Sequence, residues 1–219
     1  MSMVGVVHTT RLVIDPVHRS ISDSAAELQI NHVLDEGILR KLAALGTITS
    51  EITDWLTRMV ASTEEIGADL AVVSCSSLSP CVNEVRRRVK IPVLKVDEPM
   101  VEYAVHHAER IGLIMTNPTT EMPSQMLFSE VTQRLKSRAV LIPELCPEAF
   151  AKLTRGDIEG HDREVVEAIE RMFDRVDLIM LAQISIARVR DKLAPRVAGR
   201  VLSSLDFIGP RLSELLNDS

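Results

Sequence analysis

The chain carries two copies of one strand-and-tip motif, and that duplication limits its possible folds more than any other feature. Ala68-Asp69-Leu70-Ala71-Val72-Val73-Ser74-Cys75-Ser76-Ser77-Leu78-Ser79 lies over Val176-Asp177-Leu178-Ile179-Met180-Leu181-Ala182-Gln183-Ile184-Ser185-Ile186-Ala187. The Asp-Leu start, the apolar run and the later serine coincide, and Cys75 falls on Gln183. Upstream, Val4-Gly5-Val6-Val7-His8-Thr9 is repeated by Ile111-Gly112-Leu113-Ile114-Met115-Thr116. Such a chain is expected to fold as two similar lobes, residues 1–97 with 200–219 forming the first and residues 98–199 the second. The 219 residues allow each lobe the roughly 100 that a small domain uses.

Short apolar runs alternate with longer amphipathic ones. Residues 4–7, 70–73, 93–96, 111–115, 139–142, 178–181 and 200–202 read as strands, most of them apolar on successive residues, as strands covered on both faces are. Ile52, Trp55, Leu56, Met59, Val60, Thr63 and Ile66 recur at helical spacing behind an N-cap at Thr49 or Ser50. Ser79-Pro80 opens another helix, residues 100–109 form one that holds His106 and His107, and Val165, Ile169, Met172 and Phe173 mark a further stripe. Residues 12–24, with Pro16, His18 and several serines, read as a loop. The expectation is an α/β fold of two pseudo-symmetric lobes. Each is a parallel sheet flanked by helices, and the site lies in the cleft between the lobes. Ligands of such folds sit beyond the C-terminal strand ends. That singles out His8 and Thr9, Ser74 to Ser77, Asp97 and Glu98, Thr116 to Thr119, and Gln183 to Ser185.

Composition excludes several classes. A net charge of −6 and an aromatic content of 3% argue against nucleic acid or an anionic membrane as partner. No apolar run reaches the length of a membrane span, and no basic-then-apolar leader opens the sequence, so a cytoplasmic protein is expected. The three cysteines form no metal-type pair and are odd in number, against a secreted disulfide scaffold. No glycine-rich phosphate loop occurs, so no cofactor is expected. His32 and Asp35 are close enough in sequence to suggest a metal pair, but no third ligand is evident and no metal is expected. His161 and Asp162 read as helix-boundary chemistry. A homo-oligomer is expected.

Cys75 is the sharpest catalytic candidate. It sits where a buried strand turns into a helix, and the helix N-terminus is expected to lower its pKa toward neutrality. Ser74, Ser76 and Ser77 add hydroxyls and backbone donors suited to a carboxylate. The plainer reading is an ordinary buried cysteine, as for Cys81 and Cys146.

With these tips in place, the chain resembles the aspartate/glutamate racemase superfamily, which includes hydantoin racemases, maleate isomerases and arylmalonate decarboxylases. The resemblance rests on the strand ending Val73-Ser74-Cys75-Ser76-Ser77, the strand ending Leu181-Ala182-Gln183-Ile184-Ser185 and the glycine-containing strand ending at Thr116. It implies a two-lobed enzyme without cofactor, in which each lobe offers a thiol to one face of the substrate's α-carbon. Carried over, Cys75 is the first-lobe cysteine, flanked by Ser76 and Ser77. Thr116 and Asn117 belong to a substrate-carboxylate loop, with Thr9 and Thr119 on neighbouring tips. Gln183 takes the place of the second cysteine. Glutamine has no accessible pKa, so symmetric two-thiol exchange is unavailable. Gln183 is instead suited to donate to an oxyanion. His8 stands where glutamate racemases have an acid, and reads either as a base or proton donor or as a histidine held by backbone groups. Ser185 reads either as a second carboxylate ligand or as a helix N-cap.

Three functions follow from this reading. The first is a racemase-like isomerase acting at the α-carbon of a small carboxylate or amino-acid-type substrate with one essential cysteine. The second is a cysteine-dependent decarboxylase, lyase or cis–trans isomerase on a small dicarboxylate. The third is a pseudoenzyme that binds a small acid without turning it over.

Overall fold

A computed structural model describes residues 2–217; residue 1 and residues 218–219, which the expected first lobe includes, lie outside the described residues. In chain order the elements are β1 (Met3–His8), α1 (Ile14–Ser24), β2 (Gln29–Leu34), α2 (Gly37–Leu45), α3 (Ser50–Glu65), β3 (Leu70–Val73), α4 (Ser79–Val85) and β4 (Val93–Lys95). They continue as α5 (Glu98–His107), β5 (Arg110–Met115), α6 (Glu121–Leu135), β6 (Val140–Leu145), α7 (Pro147–Thr154) and α8 (Ile158–Met172). The last are β7 (Leu178–Leu181), α9 (Pro195–Ala198), β8 (Val201–Ser203) and α10 (Ile208–Asn217). The chain divides into two compact units, one running to Pro99 and resuming at Leu205, the other spanning Met100–Ser204.

Each unit holds a four-stranded parallel sheet, ordered β2-β1-β3-β4 in the first and β6-β5-β7-β8 in the second. In the first unit one sheet face, with Val7, Ala71 and Val73, packs on Ile52, Leu56 and Val60 of α3 and Val82 of α4. In the second, Ile114, Ile179 and Leu181 pack on Val165, Ile169 and Met172 of α8. Thr49 is the residue that caps α3, accepting from the Ile52 N–H at 3.4 Å.

The repeat has a physical basis in both units. Asp69 and Asp177 precede β3 and β7, and each carboxylate accepts from the first backbone N–H of the neighbouring strand, Met3 at 2.8 Å and Arg110 at 2.7 Å. The register follows, Val4 opposite Leu70 and Ile111 opposite Leu178. The matched glycines, Gly5 and Gly112, let the crossover helix approach the sheet. A Cβ at Gly5 would lie 2.3 Å from the Thr63 Cβ of α3, whereas one at Gly112 would meet the Met172 sulfur at 2.2 Å. A threonine Cβ moves only with its backbone, while methionine can turn away. Gly5→Ala is therefore expected to cost about 2–3 kcal/mol, and Gly112→Ala clearly less. Urea unfolding midpoints of the two variants check this; equal costs would contradict it.

Three expectations are corrected. Residues 12–24 form not a loop but a 3₁₀ turn (Arg11–Val13) followed by α1. Pro16 lies in the first turn, where its missing N–H costs no helix bond, and Val13, Val17 and Ile21 form a buried stripe four residues apart. The strand β2, at the sheet edge, has no apolar run because most of its residues are only partly buried. The last strand, placed with the first lobe by the expected 200–219 segment, pairs with β7 in the second sheet, Ile179 opposite Val201. Arg200 fixes it there, its guanidinium lying 4.2 Å from the Phe173 ring centre and donating to the Asp177 carbonyl at 2.8 Å.

Candidate functional site

In the first unit the neighbouring strands β1, β3 and β4 end side by side, so the segments that follow them share one sheet edge. After β3 the chain stays extended through Cys75 (φ −123°, ψ 106°) and closes a 3₁₀ turn at Ser76–Leu78 before α4. Ser76, Ser77 and Ser79 are buried, while Cys75 keeps partial exposure. The Thr9 hydroxyl and the backbone N–H groups of Leu78 and Ser77 stabilise the Cys75 thiolate. They do not prevail. Burial pushes the thiol above its ordinary value, and the negative charge of Asp97 pushes the same way. The expected lowering toward neutrality is thus overturned: α4 has seven residues, and desolvation outweighs the donors at its start.

Asp97, singled out at its strand tip by the sequence but given no role there, sits beside the thiol. It is buried, accepts from the Ser79 hydroxyl at 3.0 Å, and is hydrogen-bonded to Ser76. Burial raises its carboxyl, with Ser79, Ser76 and the buried Lys95 pulling the other way. Cys75 therefore has a second titratable group beside it, linked through the serines on either side of the turn.

His8 is fully buried, and both its ring nitrogens have partners. Nδ1 lies 2.8 Å from the Ser74 hydroxyl and Nε2 lies 2.8 Å from His32 Nδ1. These contacts do not include Cys75, so the base-to-thiol reading of His8 lacks its hydrogen bond. Burial, then the neighbouring His32, lowers the His8 pKa to about 4. His32 is on a strand and bonded to histidines, while Asp35 accepts from Gly37 N–H and Trp55 Nε1. The suggested metal pair is not formed, and no cluster of three metal-ligating side chains occurs among the described residues.

In the second unit β5 and β7 also end as neighbours. The Gln183 side-chain oxygen accepts from Thr116 N–H at 2.8 Å, the Thr116 hydroxyl at 3.2 Å and Asn117 N–H at 3.3 Å. Two of these donors are backbone N–H groups, which fixes the amide orientation and leaves its nitrogen as the donating end. Asn117 caps the following turn, its side-chain oxygen accepting from both the N–H and the hydroxyl of Thr119 at 3.0 Å. Ser185 lies inside a 3₁₀ segment, Ile184–Lys192, whose N-cap position is Gln183, so Ser185 is not the cap. Gln183→Leu would leave two N–H groups of the Thr116 tip unsatisfied, for an expected loss of about 2–4 kcal/mol. Gln183→Glu keeps the acceptor and is expected to lose much less. Amide hydrogen exchange at Thr116 and Asn117 separates the two; equal protection in both variants would exclude the clamp.

The His161–Asp162 pair is more than a helix boundary. Asp157 caps α8, and the buried Asp162 lies 2.8 Å from His161 Nδ1, 2.6 Å from Arg188 and 2.7 Å from Lys192. Burial raises the Asp162 carboxyl, but hydrogen bonds from Lys192, His161 and Arg188 bring it below its ordinary value. His106 and His107 are exposed on α5.

Comparison with known proteins agrees with this layout. The family model for Asp/Glu/hydantoin racemase matches residues 8–208. A glutamate racemase from Bifidobacterium adolescentis is 26% identical over 117 residues, which are 52% of this chain and 44% of that protein, so the match spans less than half of the relative's length. A crystal structure of a glutamate racemase isoform from Bacillus anthracis superposes with a TM-score of 0.78 at 17% identity, covering 99% of this chain and 82% of the other. That of an aspartate racemase homologue from Pyrococcus horikoshii OT3 gives 0.73 at 14% identity, covering 99% and 100%. Similar fold and a family match along nearly all of its length lead to one statement: the chain belongs to the Asp/Glu/hydantoin racemase family.

Proposed function

We propose that the protein is a cofactor-independent, racemase-type isomerase acting at the α-carbon of a small carboxylate or amino-acid-type substrate, with Cys75 as its one proton-carrying thiol. One observation carries this reading: Cys75 stands at a strand tip among Thr9 and two backbone N–H groups, while its counterpart Gln183 is committed to the Thr116 tip. As thiolate, Cys75 takes the α-proton, and the electron pair left on carbon is delocalised into the substrate carboxylate as an enediolate. Inversion needs the new proton on the opposite face of the carbon; water supplies it there, and the hydroxide left behind takes the proton from the Cys75 thiol, which restores the thiolate. Ser76, Ser77, Thr116, Asn117, Thr119 and Ser185 are the candidate carboxylate ligands in this reading, and Gln183 is a clamp whose nitrogen is available to donate.

The raised thiol favours a second reading. A thiol that is protonated at neutral pH is ready to donate a proton to a carbanion produced by loss of carbon dioxide or by double-bond rearrangement. Incubation in deuterated water with panels of amino acids, hydantoins, hydroxy acids and malonates, followed by NMR, separates the two. Exchange with inversion supports the isomerase; released carbon dioxide or a moved double bond supports the other. Binding without turnover of any compound supports the small-acid-binding pseudoenzyme. A cytoplasmic location and a homo-oligomer belong to the same reading, and no helix among the described residues is long and apolar enough to cross a membrane.

A further inference from the structure

A buried carboxylate on the neighbouring strand tip grips the turn that serves the thiol. β3 and β4 pair in parallel with Val73 opposite Lys95, and the Val96 N–H donates to the Val73 carbonyl at 3.1 Å. Cys75 and Asp97 each stand two residues beyond that last pair. From Cys75 the chain enters the turn Ser76–Leu78, closed by the Leu78 N–H on the Cys75 carbonyl at 3.0 Å. The buried Asp97 accepts from the Ser79 hydroxyl at 3.0 Å and from the Ser76 hydroxyl. Ser76 is the first residue of the turn, and Ser79 directly follows its last. The N–H groups of Ser77 and Leu78 lie between these two anchors, and they are the ones that reach the Cys75 sulfur.

We propose that Asp97 is a positioning residue for Cys75: its carboxylate fastens both ends of the turn that serves the thiol and sets a negative charge beside it. Its use rests on the isomerase reading, in which Cys75 carries the proton, while the arrangement itself does not.

Two effects of opposite sign reach the thiolate. Fastening the turn keeps the Ser77 and Leu78 N–H groups aimed at sulfur, which favours the charged form. The charge of Asp97 disfavours that form, in the same sense as the burial of the thiol. This balance suits a group that must pull a proton from carbon. A thiolate that is harder to form is a stronger base once formed, so Asp97 trades thiolate population for basicity.

Asp97 must be ionised to act in this way. Burial works against the charge; the Ser79 hydroxyl, the Asp97 N–H, the Ser76 hydroxyl and the charge of Lys95 work for it. Lys95 is 1% exposed, and a buried ammonium calls for an anion near it. Glu98, the next residue, is joined at 2.9 Å to Arg86 at the end of α4. His8 on β1 contacts Ser74 and His32.

Asp97→Asn is the test, because the asparagine oxygen still accepts from both serines while the charge is gone. In the substrate-free protein, alkylation of Cys75 by iodoacetamide is followed against pH by mass spectrometry. The pH of half-maximal rate is expected to be about one unit lower in Asp97→Asn than in the wild type. An unchanged or higher midpoint overturns the assignment. A protonated Asp97, or one that only braces the turn, would leave the midpoint where it is. Ser79→Ala reads the fastening separately. One of the two bonds is lost, and exchange of the Ser77 and Leu78 amides is expected to quicken about tenfold. Exchange at the wild-type rate overturns the assignment even if Asp97→Asn does not fold. On a substrate whose α-proton exchange depends on Cys75, the acidic limb of the rate moves down by the same interval in Asp97→Asn. If Cys75→Ala leaves that exchange intact, the isomerase reading fails, while the alkylation midpoint still decides whether Asp97 acts on the thiol.

Discussion

Cys75→Ala is expected to lower turnover by about 10²–10⁴-fold, the range that a positioned acid or base contributes. Cys75→Ser is expected to fall nearly as far, because a hydroxyl at that place is a far weaker acid than a thiol. The control is Cys81→Ala. Cys81 is 2% exposed and packed in the apolar core of the first unit, so its loss is expected to reduce stability and leave turnover alone. The raised thiol sets a further expectation. Alkylation of Cys75 by iodoacetamide at neutral pH runs slower than that of a free cysteine, and its rate continues to climb at alkaline pH where a free thiol has levelled off. An activated thiolate would show the reverse, fast alkylation already at neutral pH. Retention of full turnover by Cys75→Ala, on any substrate the protein converts, would remove both catalytic readings.

The features of the fold visible in the sequence are those made by local chemistry. Asp69 and Asp177 each bind the first N–H of a neighbouring strand, and Gly5 and Gly112 each admit a crossover helix, so the two halves repeat the same letters at the same places. The buried strands β3 and β7 are four-residue apolar runs for the same reason. β2 has no such signature because Gln29, Asn31 and His32 lie on a partly exposed edge strand, where pairing with β1 supplies the order that composition does not. α1 was hidden by its serines and Pro16, although Val13, Val17 and Ile21 already held the helical spacing. Among site residues, position was legible and electrostatics were not. The strand-tip rule found Cys75, but its pKa direction depends on desolvation and on Asp97, a residue that comes from a different strand.

The substitution of Gln183 for a thiol also has a local logic. Its side-chain oxygen collects two backbone N–H groups and one hydroxyl from the tip of β5, a task for which a cysteine has neither the reach nor a comparable acceptor. In the first unit the equivalent backbone place carries a thiol that Thr9, from the tip of β1, hydrogen-bonds. The duplicated frame is retained in both units, while the residue at the tip of the third strand is the proposed proton carrier in one and holds a loop in the other.

Acid is expected to weaken the first unit through His8. Its pKa is about 4 in the folded protein against an ordinary value of 6.5, lowered by burial and by His32. Above pH 6.5 the ring is neutral whether the chain is folded or not, and the contribution is complete. Between 6.5 and about 4 the unfolded chain binds a proton that the folded chain refuses, so stability falls with pH across that window. The 2.5-unit difference between those two values corresponds to about 3 kcal/mol lost by the lower end of the window. His8→Gln keeps a polar side chain but cannot titrate, and is expected to show a loss between pH 7 and pH 4 smaller by about that amount. Asp162 and the other carboxylates titrate alike in both proteins and cancel in the comparison. Hydrogen exchange at the β1 and β3 amides reports the opening of this sheet independently of the second unit. Parallel pH dependences in wild type and His8→Gln would mean that His8 takes up its proton as readily folded as unfolded, and the buried neutral ring would then be wrong.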